Sequence, residues 1–68
     1  MMRIYGIDDK SLKEGKVWVR IRGTNPTIQR QVSEIAYDDT LEAVVFRYAE
    51  EHSRRIVHMT NIDILIRD

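Results

Sequence analysis

TLEAVVFRYAEEH, residues Thr40 to His52, reads as a helix or as a strand, and the fold turns on which it is. As a helix it gathers Leu41, Val44, Val45, Tyr48, Ala49 and His52 on one face and leaves Phe46 outside. Asp39 and Glu42 then have the spacing of a capping box. If the helix runs on, Glu50 with Arg54 and Glu51 with Arg55 become i,i+4 pairs of the favourable order. As a strand, Val44, Phe46 and Tyr48 alternate with Ala43, Val45 and Arg47, and both faces are apolar at the centre. The β-branched and aromatic centre favours the strand. The absence of Gly or Asn from Glu50 to Ser53 argues against a tight hairpin after it. Local evidence leaves both readings open.

Working outward toward the N-terminus, Thr27 to Tyr37 is strand-like. Ile28 and Val32 fall on one face and Ile35 and Tyr37 on the other, a change of phase that predicts a bulge or bend near Ser33. Gly23-Thr24-Asn25-Pro26 reads as a turn. Lys16 to Arg22 alternates cleanly: Val17, Val19 and Ile21 point one way, and Trp18, Arg20 and Arg22 the other. Asp8-Asp9-Lys10-Ser11 reads as a polar turn, and Arg3 to Ile7 as a short edge strand. On the C-terminal side, Arg55 to Met59 is a strand, Thr60-Asn61 a turn and Ile62 to Arg67 a last strand. In that last strand Ile62, Ile64 and Ile66 alternate with Asp63 and Leu65.

This order of features resembles an SH3-like small β-barrel, as in Tudor and KOW modules. Four pieces carry the resemblance. SLKEGKVWVRI (Ser11 to Ile21) is similar to the opening that leads into the first barrel strand. RQVSEIAYDD (Arg30 to Asp39) is similar to the bent second strand, and TLEAVVFRYAEE (Thr40 to Glu51) to the long third strand. RRIVHMTNIDILIRD (Arg54 to Asp68) is similar to a fourth strand, a short helical turn at Thr60 to Ile62 and a closing fifth strand. The resemblance is one of fold and covers about residues 11–68. It implies an all-β, five-stranded barrel, with Thr40 to His52 a strand. The alternative is α+β and β-grasp-like: a hairpin over Lys16 to Tyr37, a helix over Thr40 to His52, then two strands. In either case the 68 residues make a single small domain.

Eleven basic residues balance eleven acidic ones, so bulk charge gives no drive toward nucleic acid or membrane. The charges are nonetheless segregated. Gly15 to Ser33 holds Lys16, Arg20, Arg22 and Arg30 and no acid. Glu34 to Glu51 holds Glu34, Asp38, Asp39, Glu42, Glu50 and Glu51 against Arg47 alone. There is no cysteine, hence no disulfide, thiolate metal site or cysteine nucleophile. No apolar run approaches the roughly 20 residues of a membrane span. These features lead to the expectation of a cytoplasmic protein without membrane contact.

Catalysis finds little support. The chain has no phosphate-cradling glycine loop and no nucleophile elbow. His52 and His58 lack metal-ligand spacing, which leaves a metal or small-molecule site through them as the weakest reading. The doublets Asp8-Asp9 and Asp38-Asp39 suit turns and caps better than cations. No cofactor, metal or small-molecule substrate is expected. What remains is binding through Trp18, Arg20, Arg22 and Arg30, a tryptophan among arginines on one strand and its neighbour. The first expectation is a non-enzymatic protein-interaction module, its partner another protein or a second copy of itself. The second is a nucleic-acid-binding barrel in which Lys16 joins those four residues. Against both stands a packing role for Trp18, covered by the N-terminal segment around Ile4 and Tyr5.

Overall fold

The computed structural model describes residues 7–23 and 28–67. The expected edge strand at Arg3 to Ile7, apart from Ile7, lies outside the described residues. So do the cover of Trp18 by Ile4 and Tyr5 and most of the turn at Gly23 to Pro26.

The first element is a short helix, α1 (Asp9–Lys13), where a polar turn was expected. Five residues are too few for helical periodicity to show, and the element rests on its two ends. Asp8 is the N-cap: its Oδ1 accepts the Ser11 N–H at 2.8 Å. At the other end Gly15 takes φ +73°. Its N–H donates to the Leu12 carbonyl at 3.2 Å, and the Lys16 N–H donates to the Ser11 carbonyl at 3.0 Å. That is a complete Schellman closure, which needs a residue free of the left-handed penalty at Gly15. Ile7 and Leu12 pack against the core, so α1 covers one end of it.

Among the described residues five strands follow: β1 (Val17–Ile21), β2 (Gln29–Asp38), β3 (Ala43–Tyr48), β4 (Arg55–His58) and β5 (Ile62–Ile66). A 3₁₀ turn at Met59–Asn61 links the last two. Thr40 to His52 therefore contains a strand and no helix, which overturns the β-grasp-like alternative. The strands form one antiparallel sheet in the order β4-β3-β2-β1-β5. In β2 the register slips between Val32 and Glu34, leaving Ser33 as a bulge where the phase of the sequence changed.

The core lies on the inner face. Val17, Val19, Val32 and Phe46 are fully enclosed there, joined by Ile35, Val44, Tyr48 and Ile62. Phe46 and Tyr48 meet edge to face, centroids 5.2 Å apart.

The sheet does not close into a barrel, and its strand count explains why. Every hydrogen-bonded neighbour is antiparallel, so direction alternates along the order. With five strands the two outermost, β4 and β5, run in the same sense. Pairing them would be parallel, and a parallel pair needs a crossover of a dozen or more residues. The three residues of the 3₁₀ turn cannot supply one.

Candidate interaction surface

β1 is amphipathic, and its outward residues meet those of β5. The register sets Trp18 opposite Leu65 and Arg20 opposite Asp63. Beyond the end of β1, the Arg22 N–H donates to the Asn61 carbonyl at 2.8 Å and carries the ladder one residue further. Arg20 and Arg22 converge on the single carboxylate of Asp63. Arg20 donates through Nε and Nη2 to Oδ2, at 3.2 and 2.9 Å. Arg22 donates through Nη2 and Nε to Oδ1, at 2.6 and 3.1 Å. The hydrogen bonds from Arg22 first, then those from Arg20, hold the Asp63 carboxyl down to about 2. The same contact raises the pKa of Arg22.

Beside this clamp, the Trp18 Nε1–H donates to the Gly15 carbonyl at 3.2 Å. The Arg67 guanidinium lies 4.8 Å from the Trp18 ring centroid, a cation–π contact, and also donates to the Gln29 side chain. The outer face of β1 and β5 thus carries three guanidiniums, one carboxylate, a half-buried indole and Leu65.

Arg30 does not extend this surface. Its cross-strand partner is Val19, which places it on the inner face, at the open mouth of the core. There its guanidinium stacks 3.7 Å from the Tyr48 ring centroid, with Arg55 5.0 Å away. Arg30 pairs with Glu50 and, at 3.7 Å, with Glu51. Glu51 also accepts two hydrogen bonds from Arg55, at 2.9 and 2.8 Å. These hydrogen bonds, and then the nearby positive charge, lower the Glu51 pKa. Parity within β2 carried the signal: Arg30 stands two residues from the core residue Val32 and shares its face.

The outer face of β2, β3 and β4 has a different make-up. Val45 sits between Ala36 and Ile56 in register and is buried although it points away from the core. Ile56 on the edge strand is 61% exposed. A depression of about 240 Å³ runs between Ala36, Val45, Glu34 and Arg54. Glu34 binds Arg54 at 3.0 Å and Arg47 at 3.5 Å, and the Arg54 hydrogen bond lowers its pKa. The charge segregation seen along the chain is thus largely cancelled in space, because Glu34, Glu50 and Glu51 fold back onto arginines.

The other sequence candidates serve local structure. His58 Nδ1 accepts the Thr60 N–H at 3.3 Å and caps the 3₁₀ turn, while its Nε2 is 3.9 Å from Glu42. His52 lines a polar depression with Glu34, Arg47 and Arg54. Asp38 Oδ1 accepts from the Thr40 and Leu41 N–H groups at 3.0 and 3.1 Å. Among the described residues no group of three or more His, Cys, Asp or Glu is placed to hold a metal ion, and no helix is long and apolar enough to cross a membrane.

Sequence reasoning missed Asp63 and Arg67. The alternation of β5 gave the face of Asp63 but not its partners, which follow only from the β1–β5 register. No protein family, curated protein or solved structure matches the chain.

Proposed function

We propose that the protein is a non-enzymatic interaction module of SH3-like architecture that binds a protein partner through the outer face of β1 and β5. The observation that carries this reading is the clamp at Asp63. It holds Arg20 and Arg22 in fixed directions beside Trp18 and Leu65, with Arg67 over the indole. Tryptophan and arginine are the side chains that dominate protein interfaces, and rigid ones lose the least entropy on contact. Arg30 contributes to the fold at Tyr48 rather than to this surface.

Nucleic-acid binding is the rival. Phosphate recognition draws on several cations whose charge is available, and binding weakens steeply with salt. Here Arg20 and Arg22 share a carboxylate, Lys16 lies 2.9 Å from Glu14, and Arg30 is engaged by Glu50 and Glu51. The test is an NMR titration with short single-stranded DNA and RNA at low and high salt. The protein-partner reading expects the Trp18 indole and the Arg20 and Arg22 signals to stay in place at both. Salt-sensitive shifts at these residues would establish the nucleic-acid reading instead.

A further inference from the structure

We infer that the chain also binds a second copy of itself, with β4 of one molecule pairing antiparallel to β5 of the next. The inference goes beyond the reading of the outer face, because it uses the open strand edges and not Trp18, Arg20 or Arg22. It starts from the two edges left open among the described residues. Among the described residues β4 bonds only to β3 and β5 only to β1, and their odd strand count keeps these two edges from pairing with each other. Exposed edges are usually protected by shortness, charged side chains, proline or a bulge. RIVH is short, but neither it nor IDILI contains lysine or proline, neither ladder is bulged, and their charges are engaged within the chain, Arg55 by Glu51 and Asp63 by Arg20 and Arg22. Instead each edge presents an exposed isoleucine, Ile56 on β4 and Ile66 on β5.

The faces choose the register. Val57 and Arg55 share the inner face with Val44 and Phe46, whereas Ile56 and His58 point outward with Val45 and Ala43. On β5, Ile62, Ile64 and Ile66 are inner, and Asp63 and Leu65 outer. One antiparallel alignment matches the faces and keeps all four β4 residues opposite β5: Arg55 with Ile66, Ile56 with Leu65, Val57 with Ile64, and His58 with Asp63. Both exposed isoleucines are covered, Val57 meets Ile64 on the inner face, and His58 meets the Asp63 carboxylate. A one-residue slip mismatches the faces. A two-residue slip sets Ile56 against Asp63 or against Arg67. Two-fold pairing of β4 with β4 or of β5 with β5 leaves the other edge uncovered. The contact is therefore head to tail, and it builds a ring if the rotation closes and a filament if it does not.

Sedimentation velocity on the full chain with two edge variants, Ile56→Lys and Ile66→Lys, tests this. The wild type is expected above monomer mass: one discrete species for a ring, a concentration-dependent series for a filament. Each variant alone is expected to lose that assembly. Their equimolar mixture is expected to form a heterodimer, because one keeps an intact β5 edge and the other an intact β4 edge. A monomeric wild type at all concentrations, dissociation by only one variant, or a mixture that stays monomeric would each overturn the proposal. Hydrogen exchange on the wild type gives a readout independent of variant folding. Amides on the outer edges of Arg55–His58 and Ile62–Ile66 are expected to gain protection as concentration rises, and protection independent of concentration would overturn it. Failure of these tests leaves the nucleic-acid titration of the Trp18 face as a separate question.

Discussion

The sheet has two halves that meet at Ser33, and they use their outer faces differently. In the half made by β1, β5 and the start of β2, outward positions carry Trp18, Arg20 and Asp63. In the half made by the rest of β2 with β3 and β4, outward positions include Ala36, Ala43 and Val45, and the last two are buried. The first half keeps strict alternation because its long polar side chains reach water and each other. The second packs small apolar side chains below a fringe of Glu34, Arg47 and Arg54. β3 is consequently apolar on both faces, and this is why its sequence has no clear period.

The strongest way to break this comparison is to delete Ser33. The bulge sets the phase between the halves, and its removal would turn Glu34 to Asp38 over relative to Val32. Loss of cooperative unfolding by circular dichroism is the expected result. Next comes Val45→Asp, which puts a carboxylate at an outward yet buried position. A cost of about 3 kcal/mol in urea unfolding is expected, within the range for burying an uncompensated polar group. Trp18→Ala on the other half sharpens the contrast. Its cost is expected to be smaller, since the half-buried indole lies on the outer face rather than in the core.

A smaller pair of effects concerns the backbone. Gly15→Ala forces a side chain into the left-handed region, where its Cβ would lie 2.7 Å from Gln31 Nε2. Because Gln31 can swing away, the expected cost is mainly conformational, about 1 kcal/mol. Glu42 already occupies that region at φ +50° in the turn before β3. Glu42→Gly is therefore expected to raise the thermal midpoint slightly, although the extra freedom of the unfolded chain offsets part of the gain.

The gentlest test is pH. Asp63 titrates at about 2 in the folded chain, and its ordinary value is 3.8. Between these values the unfolded state binds more protons, so stability rises with pH across the window and falls as pH drops from about 4 toward 2. Asp63→Asn removes this contribution, and its thermal midpoint is expected to fall less steeply over that window. Some slope remains, because Glu34 and Glu51 are also held below their usual range by Arg54 and Arg55.

The strands were legible wherever one side chain in two had to be buried. The alternation of Val17, Val19 and Ile21 gave β1 and its faces, and the phase change between Val32 and Ile35 gave the bulge. β3 could be argued from β-branched content but not from period, because both of its faces are covered. α1 escaped because its evidence is in the caps, Asp8 and Gly15, rather than in a repeat. Barrel closure was expected and is not found; the reason lies in strand parity, which no local pattern displays. At the candidate surface the sequence supplied Trp18, Arg20 and Arg22. It could not supply Asp63, whose role depends on a register between strands far apart in the chain.

That separation gives the clamp a kinetic meaning. Arg20 and Asp63 are 43 residues apart, so their contact forms only after a long loop has closed. β1 waits for the last strand of the sheet to complete its hydrogen bonding, whereas β3 has both neighbours close in sequence. Contacts made late in folding chiefly slow unfolding. The two arginines on one carboxylate then act as a latch: losing Asp63 should shorten the lifetime of the folded state more than it delays its formation.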